Sequence, residues 1–226
     1  MQGRRALSEP SISPDLSGVL IDLSGVLTQE APGRIEDFAA ECHLQVDAWT
    51  DIYRRCCDRE RRWDQVERGE LELLEFARDL AVRIESKGGF CTAERAMTLF
   101  GDPDPFTCAT RVRTELFPLI AELRKHFTTG LCTNNVKEWR PAWTKLVPVS
   151  ELFDHVFDSS ALGCRKPELM FWMHVETSLG MEGQELLLID DSLENVLTAR
   201  AARGWQTFFY TDLTPCAGLL KGLASR

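Results

Sequence analysis

Short, uninterrupted apolar runs recur along this chain, and each gives way abruptly to polar residues. Gly18 to Ile21 ends at Asp22 in a Gly-containing turn, Gly130 to Cys132 ends at Thr133-Asn134-Asn135, and Leu186 to Ile189 ends at Asp190-Asp191. Runs of this length bounded by turn residues predict strands buried on both faces. His155 to Asp158 and Thr207 to Tyr210 are further candidate strands. Helical segments separate them. Phe117 to Phe127 is opened by Pro118, Glu168 to Leu179 follows Pro167 and is closed by Gly180, and a helix capped by Ser192 is closed by Gly204. Pro141 breaks the stretch after Asn135 into short helical pieces. From about Arg111 this alternation predicts an α/β fold with a doubly wound parallel sheet.

One region departs from the pattern. From Gly33 to Thr107 the period is helical throughout, too long for an ordinary crossover. Between Trp63 and Ile84, apolar residues at Val66, Leu71, Leu74, Phe76, Leu80 and Ile84 stand among many charges, which predicts a surface helix pair. Gly69 marks the turn between the two helices, and Lys87-Gly88-Gly89 ends the second. The expected organisation is a loose tail over residues 1–15, a core made of residues 16–32 and 108–226, and a helical insertion over residues 33–107.

Composition narrows the function classes. The 226 residues suffice for one large domain or a domain with a substantial insert. The formal net charge of −9 argues against a nonspecific nucleic-acid binder, whose affinity comes from clustered Lys and Arg. No run approaches the roughly 20 apolar residues of a membrane span. Arg4-Arg5 leads into polar, Pro-containing sequence, unlike a secretory signal. The eight Cys include no CxxC pair and no regular spacing, so reduced thiols in a cytoplasmic protein are expected, without zinc site or disulfide framework. Cys132 and Cys164 read as small buried residues, since no His is placed to activate either. His43, His126, His155 and His174 show no metal-ligand spacing.

In open parallel α/β sheets the ligand crevice lies beyond the carboxyl ends of the strands, so the polar clusters that end the apolar runs are placed to face one ligand. Thr133 offers a hydroxyl and Asn134 a backbone N–H to an anion. Lys166, in Arg165-Lys166-Pro167, offers a point charge, and Pro167 fixes the backbone beside it. An adjacent Asp-Asp is either a pair complementing a helix N-terminus or a functional pair. Asn195, four residues after Asp191, either supports the acidic loop or is an exposed amide.

Taken in order, IDLSGVLT, LCTNN, GCRKPE and LLIDDSLENV span residues 17 to about 212 and resemble the motifs of the haloacid dehalogenase superfamily. The resemblance implies a Rossmann-like core with an inserted α-helical cap over the site. It implies Asp22 as a nucleophile that takes a phosphoryl group and is then freed by water. It also implies a bound Mg²⁺ on Asp22, Asp191 and the main-chain carbonyl of Ser24, a hard ion held by oxygen ligands. Asp190 then orients Lys166 or a metal-bound water. Thr133, Asn134 and Lys166 bind the phosphate of a small phosphorylated substrate.

Ser24 departs from the family pattern, in which most phosphatases carry a second aspartate two residues after the nucleophile as general acid and base. Losing such a group typically costs about 10²- to 10⁴-fold. Three readings of Ser24 stand side by side: a substrate whose leaving group needs little protonation, such as an anomeric or acyl phosphate; an acid drawn from the cap or from water; or a weakly active phosphate-binding or regulatory module. The dehalogenase branch also lacks that aspartate, so a 2-haloacid dehalogenase working through an aspartyl ester is the alternative enzyme. It needs no metal, and the adjacent Asp190-Asp191 argues for Mg²⁺ and phosphate. In the expected cap, Arg54, Arg55, Arg59, Arg61 and Arg62 alternate with acids as a solvated helix face does, with substrate selection as the sharper alternative.

Overall fold

Parallel strands cannot be joined by tight turns, and here helices supply the long connections. The computed structural model describes residues 12–29, 34–97 and 111–226. Its strands are β1 (Gly18–Ile21), β2 (Thr28–Gln29), β3 (Arg111–Val112), β4 (Thr128–Thr133), β5 (His155–Asp158), β6 (Leu186–Asp190) and β7 (Gln206–Phe209). Five of them form a parallel sheet in the order β5-β4-β1-β6-β7, so the strand carrying Asp22 is central. Ile21 pairs with Leu131 on one side and Ile189 on the other, which brings the three polar strand ends level with one another.

Alternation along the strands splits the sheet between two cores. Val19, Ile21, Leu131, Leu187 and Ile189 face one apolar cluster, whereas Leu20, Cys132, Leu186 and Leu188 face the other. The first is covered by α6 (Phe117–Leu123), α7 (Arg140–Leu146), α8 (Val149–Leu152) and α12 (Leu213–Ala224). The second is covered by α10 (Leu169–Leu179) and α11 (Leu193–Arg203), and the short α9 (Ser159–Leu162) follows β5 directly. Trp143, Trp172 and Trp205 are each fully buried, and an aromatic or aliphatic side chain so placed contributes about 1.5–3 kcal/mol.

Between β2 and β3 the described chain is helical: α1 (Arg34–Glu41), α2 (Val46–Arg54), α3 (Arg62–Glu67), α4 (Leu73–Ser86) and α5 (Ala93–Ala96). A π-helical turn over Arg55–Arg59 follows α2. These helices enclose a cluster of their own, built on Phe38, Trp49, Ile52, Val66, Phe76, Leu80 and Ile84. Val136, just beyond β4, is part of it. Gly69 turns the chain between α3 and α4 with φ +68°, and a Cβ there would meet Ser160 O at 2.6 Å. The strands β2 and β3 that lead into and out of this segment pair antiparallel, Thr28 with Val112.

Most of the expected elements are present within a residue or two. The predicted helix from Phe117 stops at Leu123, its last residues forming turns. The helix α12 was not expected, because Pro215, Gly218 and Gly222 disfavour helix in isolation; burial of Cys216, Leu220 and Leu223 overrides them. Of the expected loose tail, residues 1–11 lie outside the described residues. The remainder is engaged: Ser13 N–H donates to Gln206 Oε1 at 2.7 Å and Ile12 packs on the core. Residues 30–33 and 98–110 of the expected insertion and its boundaries also lie outside the described residues. No helix among the described residues is long and apolar enough to cross a membrane. The seven described cysteines are free, and Cys108 lies outside the described residues.

Candidate active site

The sheet order fixes what converges. Asp22 leaves β1 with its N–H donating to Ile189 O at 2.9 Å, so the last backbone bond of the strand is still made when the carboxylate emerges. Its Oδ1 accepts from the N–H of Leu23 at 2.8 Å. Lys166, between α9 and α10, reaches across the end of β4 with its stem buried. Its Nζ lies 2.9 Å from Asp22 Oδ1 and 2.6 Å from Asp190 Oδ2, and it donates to Cys132 O at 2.8 Å. With the side chain only 1% exposed, the ammonium's surroundings are these oxygens.

Asp190 is the buried member of the acidic pair and is fully engaged. Its Oδ1 accepts from Ser192 N–H at 2.8 Å and from Asn195 Nδ2 at 3.0 Å, and its Oδ2 accepts from Lys166. Asn195 thus supports the acidic loop, and Ser192 caps α11 by accepting from Asn195 N–H. Asp191 is the exposed member. Carboxylate oxygens of Asp22, Asp190 and Asp191 lie within 4.8 Å of one another, the only such group of potential metal ligands among the described residues. A cation fits this group on chemical grounds: three crowded carboxylates face one lysine, and Asp190 already spends both oxygens on protein donors. Asp22 and Asp191 are the two left with capacity.

Electrostatics agree. Burial, reinforced by Asp190 and Asp191, holds the Asp22 carboxyl well above the usual range, with Lys166 pulling against it. Burial and the neighbouring Asp190 also raise Asp191. Burial works against the charge of Lys166, but Asp190 and Asp22 more than offset it, and its pKa lies above the ordinary lysine value.

The remaining predicted residues close the opposite side. Thr133 ends β4 fully buried, its Oγ1 accepting from Asn135 Nδ2 at 3.4 Å. Asn134 does something the sequence did not suggest: its side chain pairs with the main chain of Lys166. Asn134 Nδ2 donates to Lys166 O at 2.8 Å, and Lys166 N–H donates to Asn134 Oδ1 at 2.9 Å. The loop after β4 and the loop carrying Lys166 are thereby fastened together, and the Lys166–Pro167 peptide is cis. Ser24 sits in the turn after Asp22, half-buried, bridged to Thr28. Gly25 beside it has φ +87°, and a Cβ there would lie 1.9 Å from Asp191 Oδ2. Only glycine lets the turn approach the acidic loop this closely.

Sequence reasoning missed a second set of residues. Arg165, the chain neighbour of Lys166, pairs with two carboxylates of α3: Nη1 to Asp64 Oδ1 at 2.9 Å and Nε to Glu67 Oε2 at 2.5 Å. Arg68 continues the contact to Glu168 at 2.7 Å. No local spacing signals such a contact. The arginine run behaves as a solvated face, with Arg55 paired to Asp51, Arg61 to Asp64 and Arg62 to Glu75 and Asp79, while Arg54 and Arg59 are exposed. His155 stacks on Phe157 and His174 packs edge-on against the same ring.

Comparison with known proteins places the chain. A family model for haloacid dehalogenase-like hydrolases matches residues 15–203. The sesquiterpene phosphatase astK of Aspergillus oryzae is 28% identical over 147 residues, covering 62% of this chain and 67% of that protein. The drimenol cyclase drtB of Aspergillus calidoustus is 38% identical over 50 residues, 22% of this chain but only 10% of the cyclase. Among solved structures, a HAD family enzyme of Bacteroides thetaiotaomicron in complex with magnesium and inorganic phosphate superposes with a TM-score of 0.67 at 22% identity, over 89% of this chain and 98% of that one. A 2-haloacid dehalogenase of Pseudomonas syringae pv. Tomato superposes with a TM-score of 0.60 at 17% identity, over 93% and 99%.

Proposed function

The chain belongs to the haloacid dehalogenase-like hydrolases, and we propose that within them it is a Mg²⁺-dependent phosphatase of small phosphorylated molecules, with Asp22 as nucleophile. The observation that carries this reading is the division of labour between the adjacent aspartates. Asp190 is saturated by Lys166, Asn195 and the Ser192 N–H, which leaves Asp191 and Asp22 to hold a cation. A cation-binding pair of carboxylates beside a buried lysine suits a phosphate dianion and has no use in displacing halide from a haloacid.

Asp22 Oδ attacks phosphorus, the bond to the ester oxygen breaks, and the leaving oxygen takes a proton. Water then attacks the aspartyl-phosphate, returning Asp22 as carboxylate and releasing inorganic phosphate. Asp22, Asp191 and the carbonyl of Ser24 would hold Mg²⁺, which when bound would supply the positive charge that lets one anion approach another. Lys166 neutralises the nucleophile and a phosphate oxygen from within the protein, and Asn134 fixes the backbone from which it reaches. Thr133 and the Asn134 N–H stand at the phosphate side. The helices of residues 34–97 serve as a cap.

Ser24 leaves the leaving group without the usual acid, which favours substrates that depart readily or an acid supplied by solvent. The tail of the substrate is apolar on this reading. The support is the sesquiterpene phosphatase relative together with the aromatic cluster near Asn135, where Trp63 meets Trp139 at a tilt, 5.8 Å between centroids, and Phe76 edge-on at 5.3 Å. A cytoplasmic setting accords with the free thiols. The dehalogenase branch likewise lacks an aspartate at this position, so that activity is the competing reading.

The test is phosphate release from prenyl, anomeric and acyl phosphates, with Mg²⁺ and with EDTA, beside halide release from a 2-haloacid. Metal-dependent phosphate release bears the proposal out. Halide release insensitive to EDTA, without phosphatase activity, overturns it.

A further inference from the structure

Arg113 lies outside every motif, at the point where the chain returns from the helical segment, yet its side chain reaches the turn that follows the nucleophile. Its Nη1 stands 2.8 Å from Gly25 O, 2.8 Å from Val26 O and 3.1 Å from Thr28 O, and its own N–H donates to Leu27 O at 2.8 Å. The guanidinium is held from the other side by the ring of Tyr210, 5.0 Å from Cζ to the centroid. One side chain therefore gathers three carbonyls of the turn, adding to the bonds the turn makes within itself, Leu27 N–H to Leu23 O at 2.9 Å and Thr28 N–H to Leu23 O at 2.8 Å.

The consequence falls on Ser24. Gly25 N–H donates to Thr28 O at 2.8 Å, and that same oxygen accepts from Arg113. The Ser24–Gly25 peptide is planar and trans, so the direction of the Gly25 N–H sets the opposite direction of the Ser24 carbonyl. Anchoring Thr28 O thus aims Ser24 O. Anchoring Gly25 O and Val26 O also keeps Gly25 seated against Asp191, where a Cβ would collide. Two of the three groups assigned to the cation lie in direct covalent or van der Waals continuity with what Arg113 holds.

We propose that Arg113 is a positioning residue for the metal site: it fixes the turn Gly25–Thr28 so that the Ser24 carbonyl and Asp191 stand ready for Mg²⁺, and it couples this to β3, the strand by which the helical segment rejoins the core. This rests on the phosphatase reading above. Arg113 touches neither substrate nor the reacting atoms in this arrangement. Its loss should therefore weaken metal binding rather than chemistry once metal is bound.

The experiment compares the parent with Arg113→Met and Arg113→Lys. Two quantities are read: the Mg²⁺ concentration giving half-maximal phosphatase rate, and the rise in Tm that Mg²⁺ produces in the absence of substrate. Arg113→Met should raise the half-maximal Mg²⁺ about 10-fold and shrink the Mg²⁺-induced rise in Tm, while kcat at saturating Mg²⁺ falls less than about 3-fold. Arg113→Lys keeps the charge but is one bond too short to reach all three carbonyls, and it should shift both quantities the same way by less. It carries the test should Arg113→Met fail to fold. A lower Tm with an unchanged Mg²⁺ response in either folded variant overturns the proposal and reduces Arg113 to a stabilising contact. A parent with no Mg²⁺ response in rate or in Tm overturns the phosphatase reading, and this proposal with it.

Discussion

Glu67 on α3 meets Arg165 in the lysine loop, Oε2 to Nε at 2.5 Å, with both side chains largely withdrawn from solvent. Burial lifts the Glu67 carboxyl above its usual range while Arg165 draws it down. Arg165 is the chain neighbour of Lys166, whose ammonium lies 2.9 Å from Asp22 Oδ1, so the two ion pairs are carried by adjacent residues. Asp64 and Arg68 extend the contact to Arg165 and Glu168. α3 and the loop carrying Lys166 in this way share one charged interface.

Arg165→Met leaves Glu67 without its cation, a loss that costs about 3–5 kcal/mol when burial is complete, whereas Glu67→Gln leaves Arg165 still paired with Asp64. Glu67→Gln and Arg165→Met should each lower stability toward the smaller end of that range, and the double variant should lose less than the sum. A double-mutant cycle by denaturant unfolding measures the coupling, expected at about 1–3 kcal/mol. Strict additivity would mean that the contact contributes nothing specific.

Asp22→Asn should abolish turnover, by at least about 10³-fold, and leave the strand pairing of β1 undisturbed. The amide is isosteric but is neither a comparable nucleophile nor an anionic ligand. Steady-state rates beside a far-UV circular dichroism spectrum decide it; a variant within tenfold of the parent would remove Asp22 from the nucleophile's role.

Asp190→Ala and Asp191→Ala should fail in different ways. Asp190→Ala strips the buried Lys166 of its closest partner and should lower Tm by several degrees, since Lys166 then keeps only one carboxylate, Asp22, beside the Cys132 carbonyl. Asp191→Ala should leave Tm nearly unchanged and raise the Mg²⁺ needed for half-maximal rate by tenfold or more. Metal titrations and thermal melts on both variants check the pattern, and a reversal would move the ligand from Asp191 to Asp190.

Ser24→Asp should raise kcat on esters with poor alkoxide leaving groups and change it little on activated ones, if the absent acid limits the rate. A carboxylate two residues from Asp22 also adds like charge where burial already raises a pKa. A leaving-group series at saturating Mg²⁺ separates the two effects. A uniform loss across the series would show a site built around a small neutral side chain at position 24.

What the sequence determined by itself was local. Each apolar run and the polar residue ending it are contiguous, so the strands and the order of Asp22, Thr133, Lys166 and Asp190-Asp191 could be read directly, and parallel pairing then required the strand ends to meet. Tertiary structure decided which oxygen serves which partner. That Asp190 is saturated and Asp191 free follows from the burial of Lys166 and Asn195 around one of two adjacent, chemically identical residues. Asn134 fastening Lys166, Arg165 meeting Asp64 and Glu67, and Arg113 gathering the turn after Asp22 all join residues far apart in the chain. Hydrophobic periodicity carries no record of such contacts, because a polar side chain's partner is set by where packing leaves the two ends, and packing is fixed only when the whole sheet and both its cores have formed.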